Sequence, residues 1–230
     1  MNVLVACEES QAVTIELRKL GVNAFSCDTQ ECSGGHPEWH VMQDVLPLLD
    51  GNCGFKTMDG KKHEVSQQWD MIIAFPPCTY MTKAGAVRMR VNGQIQQKRY
   101  ENAMEAKKFF MRILETHCEK IAIENPTPMK LVGLPQYSQA IHPWMFGEAY
   151  TKRTCLWLKG LPLLVPLVSE KPDGVTPYVN GGCKDASGNY RKMQGRNERN
   201  PKTRAKTFPG IAKAMSEQWV EFLESEAKHE

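Results

Sequence analysis

A chain of 230 residues, 41% hydrophobic and 24% charged, has the make-up of a soluble globular protein that buries its own core. No apolar run approaches the roughly 20 residues that span a bilayer, and the amino terminus enters a strand-like run without a basic leader. No membrane span and no signal peptide are therefore expected, the cytoplasm is the expected compartment, and the net charge of +3 is too small to name a nucleic-acid partner by itself.

In chain order, the apolar run at 3–6 predicts a first strand. The spacing over 11–20 predicts a helix closed by Gly21 as its carboxyl cap. Residues 22–27 predict a second strand ending at Asp28, and 41–45 a short third element with Asp44 near its end. The Gly-, Asn-, Asp- and Lys-rich stretch 51–68 predicts a loop or surface hairpin. A fourth strand is expected over 71–75. A helix follows over 100–118, with Ala103, Ala106, Phe109, Phe110, Ile113 and Leu114 on one side. Residues 120–123 predict a fifth strand, followed by Glu124-Asn125-Pro126, and 154–158 a further strand. Strands alternating with helices imply a mostly parallel α/β sheet with helices on both faces.

The texture changes near Pro162. Prolines at 162, 166, 172 and 177 and glycines at 174, 181, 182, 188 and 195 interrupt any regular pattern. Between Lys184 and Lys206 stand eight Lys/Arg against Asp185 and Glu198. A helix is expected over 211–226. The chain thus divides into a core over 1–161, an irregular basic insertion over 162–207, and a carboxyl-terminal helical segment over 208–230 that packs back on the core.

Eight cysteines, at 7, 27, 32, 53, 78, 118, 155 and 183, are scattered, several of them in strand-like runs, and read as free thiols of a reducing compartment. The run Cys27, Cys32, His36, His40 has zinc-ligand chemistry. Its spacing is too tight for a finger, and Gly34-Gly35 and Pro37 mark a simple loop, so no metal is expected.

Trp69-Asp70-Met71-Ile72-Ile73-Ala74-Phe75-Pro76-Pro77-Cys78 carries more information than any other stretch. A buried strand stops at two prolines, which cannot continue a ladder, and a thiol follows on a stiffened loop. In open α/β sheets that edge binds ligands. Asp28 ends an earlier strand, where a carboxylate suits a ribose hydroxyl pair. Glu124 follows the next strand at another proline exit, so Cys78 and Glu124 are expected to face one pocket.

Pro77-Cys78 at one strand end and Glu124-Asn125 at the next resemble the DNA cytosine-5 methyltransferase family, in particular its compact phage- and prophage-type members. The likeness spans about 1–162, with a weaker echo over 208–215. The resemblance implies a Rossmann-like class I methyltransferase fold, S-adenosylmethionine as cofactor and double-stranded DNA as partner, with no obligatory protein partner. It makes Cys78 the nucleophile, Glu124 the ring-activating acid and Arg153, in Lys152-Arg153-Thr154, a base contact. It assigns Cys7, Glu8 and Ser10 to the first cofactor motif, Asp28 to the second and Asp44 to the third, with Pro76 beside them. Unlike the family, the segment Ala6-Cys7-Glu8-Glu9-Ser10-Gln11 has no glycine, Glu124-Asn125 is followed by Pro126, and the recognition region is short. Lys184, Arg191, Lys192, Arg196 and Arg199 are expected to track a phosphate backbone, with Tyr190, Gln194 and Asn197 as base contacts. Action on free cytidine nucleotides or RNA, and a silent nucleic-acid-binding role, are the rival expectations.

Overall fold

The computed structural model describes residues 1–178, 183, 184, 187, 190, 191 and 200–228, with the backbone alone at 183, 184, 190, 191, 201 and 202. Its centre is a seven-stranded sheet. In chain order the sheet strands are β1 (Asn2–Ala6), β2 (Asn23–Asp28), β3 (His40–Met42), β4 (Met71–Ala74), β5 (Ile121–Pro126), β6 (Gln139–Ile141) and β7 (Thr154–Lys159). Across the sheet the order is β3-β2-β1-β4-β5-β7-β6. Strands β1 to β5 are mutually parallel, while β7 runs antiparallel to both β5 and β6. The chain leaves β1 in one direction for β2 and later resumes on the other side with β4. The crevice between β1 and β4 is therefore a topological switch point, where such sheets bind ligands.

Two layers cover the sheet. On one face lie α1 (Ala12–Lys19) and the final helix α4 (Pro209–Glu226); on the other lies α2 (Gln97–Leu114). Strand β1 is buried on both faces, as a central parallel strand must be. Val3 and Val5 meet Val13, Leu17, Met215 and Trp219, whereas Leu4 and Ala6 meet the cluster holding Phe110 and Ile113. In α4 the apolar residues Ile211, Ala212, Met215, Trp219 and Val220 fall on one helical stripe. Trp219 is wholly buried, and its indole N–H donates to Pro162 O at 3.1 Å, so the aromatic body and its polar edge are both satisfied. A five-residue helix, α3 (Pro201–Ala205), precedes α4.

Several boundaries differ from those expected. Strand β3 ends at Met42, because Val45 turns away into a 3-10 turn over Leu46–Leu48. The stretch 51–68 is a hairpin, Cys53–Lys56 against Lys62–Val65. Helix α2 stops at Leu114, short of 118. The residues beyond it pack individually, Thr116 Oγ1 donating to Leu49 O and Cys118 Sγ to Trp69 O. Strand β5 continues through Glu124 and Asn125 to Pro126, since β7 pairs along its whole length. Strand β6 has no counterpart in the sequence pattern; three residues are too few to carry a period. Cys183–Lys184 and Tyr190–Arg191 pair as two short antiparallel strands. Among the described residues no helix is long and apolar enough to cross a membrane, and the seven cysteines whose side chains are described are free thiols.

Candidate active site

The carboxyl ends of β1 to β5 lie along one edge of the sheet. Because β7 is reversed, its amino end joins them: Thr154 stands opposite Pro126. Every strand-end residue singled out from the sequence therefore falls on this edge, in two halves separated at the β1–β4 crevice.

The first half is built on β4, β5 and β7. Phe75 N–H donates to Ala6 O at 2.9 Å as the last tie of β4 to the sheet, and the chain then passes through Pro76 and Pro77. Asn125 anchors this turn. It is wholly buried, and its Nδ2 donates to Pro76 O at 3.1 Å while its Oδ1 has no partner. Pro76 thus serves the loop's geometry. Cys78 O accepts from Met81 N at 3.1 Å and Thr82 N at 3.3 Å, closing the turn. Lys83 N to Thr127 O and Met129 N to Met81 O tie the far side of the loop to the chain leaving β5. The loop that carries the thiol is thus tied at Pro76, at the Cys78 carbonyl and along its far side.

Cys78 is half-buried. Burial pushes its thiol pKa up, the Glu124 carboxylate pushes the same way, and Lys152 and Arg204 pull it down. Glu124 shows the reciprocal pattern: burial raises its pKa, and Lys152 and the Thr154 hydroxyl oppose the rise. Nucleophile candidate, acid candidate and a cation therefore share one field. Arg153 is not brought into it. Its Nη2 donates to Tyr137 Oη at 2.7 Å, its guanidinium lies 5.7 Å from the centre of the same ring, and its charge is felt by Cys155 and His142.

The second half is built on β1, β2 and β3. Cys7 and Gln11 bracket the loop after β1, and both adopt the left-handed conformation, with φ of 59° and 58°. These are turn positions that glycine would occupy without strain. Gln11 repays its strain with three hydrogen bonds. Its side chain is wholly buried, donating to Ser26 Oγ and His36 O and accepting from His36 N. A Cβ on Gly34 would collide with that side chain at 2.6 Å. Glu8 does not open onto the edge. Its carboxylate turns into α1, accepting from Val13 N at 2.7 Å, Thr14 N at 3.2 Å and Thr14 Oγ1 at 2.7 Å, so it satisfies the helix's first N–H groups. Burial, only partly offset by those bonds, pushes its pKa up to about 7. Asp28 and Asp44 do reach the edge. Each holds a turn with one oxygen, accepting from Gln30 N and Leu46 N respectively, and both carboxylates raise the pKa of the half-buried Cys7 thiol. Ser10 is half-buried on the same loop.

The two histidines of the Cys/His run are used locally. His40 is wholly buried between Ser26 Oγ and Gln30 O, and His36 stacks on Trp39 with centroids 3.9 Å apart. Among the described residues no group of three metal-ligating side chains gathers.

A strap of chain over 200–208 spans the two halves. Lys152 Nζ donates to Arg204 O at 2.9 Å on one side, and Lys206 Nζ to Ser33 Oγ at 3.0 Å on the other. Of the expected nucleic-acid contacts, Lys184 and Arg191 lie on the short strand pair, where only the backbone is described. Lys192, Arg196 and Arg199, with Gln194 and Asn197, lie outside the described residues.

Three residues central to the geometry were not candidates from sequence: Lys152, Asn125 and Gln11. Asn125 carried a signal, as the second residue of Glu124-Asn125. Lys152 is chosen over Arg153 by the alternation of β7 against β5, and Gln11 is revealed only by the loop it pins. No protein-family model matches the chain, and no curated protein matches it.

Proposed function

We propose that the protein methylates carbon 5 of cytosine in DNA, with S-adenosylmethionine as donor. The observation that carries this reading is the shared field of Cys78 and Glu124 at the ends of adjacent parallel strands, with the thiol on a loop fixed by Asn125. The strand order, a 3-2-1-4-5 nucleotide-binding sheet extended by a reversed β7, supports it as the arrangement of class I methyltransferases.

The second half fits that donor by its chemistry. Dinucleotide sites aim a pyrophosphate at the helix N-terminus after the first strand. Here the Glu8 carboxylate already occupies those N–H groups, and Asp28 and Asp44 add negative charge. This charge distribution disfavours phosphate and favours a cationic, phosphate-free nucleoside. Asp28 and Asp44 are the residues that would hold it, with Cys7 and Ser10 as the loop wall.

In the reaction the Cys78 sulfur adds to carbon 6 of the cytosine ring. Glu124, kept protonatable by burial, hydrogen-bonds ring nitrogen 3 and the exocyclic amine, and so takes up the electron density the addition pushes into the ring. Carbon 5 becomes the nucleophile. S-adenosylmethionine, when bound, supplies an electrophilic methyl group. Loss of the carbon-5 proton to a base then expels the Cys78 sulfur and restores the ring. In duplex DNA the target base is first flipped out of the stack, and Lys152, Arg204 and Lys206 supply positive charge on this edge for the flanking phosphates.

An oligonucleotide containing 5-fluorocytosine tests the reading, because fluorine at carbon 5 blocks the final elimination. A covalent adduct that needs S-adenosylmethionine and disappears in Cys78→Ser is the expected result. Duplex DNA, tRNA and cytidine nucleotides assayed side by side identify the substrate. Methyl transfer to nucleotide alone would overturn DNA as the substrate, and no adduct in any cytosine context would overturn the mechanism.

A further inference from the structure

The alternation of β7 separates two cations that are neighbours in sequence. Strand β7 runs antiparallel to β5 with Leu156 opposite Glu124 and Thr154 opposite Pro126. Residues two apart on a strand share a face. Leu156 belongs to the layer under α1 and α4, while Cys155 and Trp157 belong to the layer under α2. Glu124, paired with Leu156, shares the first face. The alternation continued back from Thr154 brings Lys152 to Glu124's side and Arg153 to the other.

The contacts agree with this division. Arg153 is engaged by Tyr137 through both its hydroxyl and its ring. The Lys152 ammonium instead donates to Arg204 O at 2.9 Å and lies 5.7 Å from the centre of the Phe208 ring. Two fixed partners restrain a side chain that is otherwise long and flexible.

We propose that Lys152, and not Arg153, is the positioning cation of the Cys78–Glu124 site, held in place by the strap at Arg204. Its ammonium acts through its neighbours, stabilising the Cys78 thiolate against the Glu124 carboxylate on one side and setting the charge of Glu124 on the other. The charged groups that face Cys78 are Glu124 from β5, Lys152 ahead of β7 and Arg204 from the strap. Removing Lys152 leaves one cation, Arg204, to oppose one carboxylate. The inference rests on Cys78 being the nucleophile, but its test needs neither DNA nor methyl donor.

The measurement is the pH profile of Cys78 alkylation by iodoacetamide in the full chain, resolved peptide by peptide by mass spectrometry so that the other thiols do not interfere. The thiolate is the reacting species, so the profile tracks its population. In Lys152→Gln the profile is expected to move to higher pH, with Cys78 alkylation at about pH 8 slowed roughly threefold or more. Lys152→Arg is expected to restore it to within about twofold, and Arg153→Gln to leave it unmoved. Lys152→Met serves as a second neutral variant should the glutamine variant fail to fold. A Lys152→Gln profile that superimposes on wild type, or an equal displacement in Arg153→Gln, would overturn the proposal. A displaced profile in a protein that forms no 5-fluorocytosine adduct would remove the methyltransferase reading and leave the role of Lys152 standing.

Discussion

Cys7 and Cys78 follow neighbouring parallel strands, β1 and β4, on the same edge of one sheet, yet the charges around them differ in sign. Burial raises both pKa values. The charges acting on Cys7, those of Asp28, Cys27 and Asp44, raise it further. Those acting on Cys78 include one carboxylate and two cations, Lys152 and Arg204, which draw it back down. Strand-end position leaves the two thiols alike, and the sign of the surrounding charge separates them: cations oppose the rise at Cys78, although its pKa stays above the ordinary value, while carboxylates add to it at Cys7. The half around Cys7 carries carboxylates and suits a cation. The half around Cys78 carries a thiol, an acid and cations, the set that the proposed reaction on a base attached to phosphates requires.

The largest expected effect divides the two thiols. Cys78→Ser should lower methylation by about a thousandfold or more, because the attacking atom is gone. Cys7→Ser should change the rate by less than about tenfold, through the loop alone. Both are read by transfer of tritiated methyl groups to duplex DNA, with binding of S-adenosylmethionine measured separately by calorimetry. Equal losses in the two variants would erase the distinction. Glu124→Gln comes next. It retains a hydrogen-bonding shape but cannot cycle a proton, and should cost roughly a hundredfold or more in methylation while donor affinity stays near wild type.

The two halves were unequally legible in the sequence. Met71 to Ala74 is an unbroken apolar run stopped by two prolines, a pattern local enough to fix both the strand and the exit of Cys78. Asp28 and Asp44 were legible for the same reason, each closing a short strand-like run. What was not legible depends on pairing between distant segments. Glu124 is inside β5 and not beyond it, because β7 extends the ladder to Pro126. The choice of Lys152 over Arg153 turns on a one-residue register that no local pattern encodes. The glycine-free loop is the other case. Its composition argues against a tight turn, but buried hydrogen bonds of Gln11 hold a left-handed backbone that propensity alone disfavours.

A smaller effect concerns the layer behind the Cys7 half. Helix α4 packs on α1, and its first turn is fixed where Gly210 N donates to Glu148 Oε1 at 2.6 Å. A Cβ at Gly210 would run into Phe146 O and lie 2.9 Å from Glu148 Oε1. Backbone cannot give way as a flexible side chain would. Gly210→Ala should destabilise the fold by about 3 kcal/mol or more, measured by urea unfolding. Wild-type stability in this variant would mean that α4 is free to shift and does not brace the half that α1 supports.

The smallest effect reaches the carboxyl that closes α1. Glu8 is almost fully buried, and its pKa is raised from the ordinary 4.5 to about 7. For an acid raised on folding, the native state holds the proton longer than the unfolded chain does. Its contribution is then fully present below about pH 4.5 and is lost as pH rises through about 7. Wild-type stability should therefore decline across that window by at most about 3 kcal/mol on account of this group. Glu148 and Glu124 are raised in the same direction, so the absolute slope does not isolate Glu8. The difference between wild type and Glu8→Gln does, because glutamine cannot titrate. The variant's stability should change less between about pH 5 and pH 7.5 than wild type's, in urea unfolding at both values. Parallel curves for the two proteins would mean that Glu8 keeps an ordinary carboxylate pKa and stays charged against α1. That outcome would strengthen the negative field of the Cys7 half and sharpen its contrast with the half around Cys78.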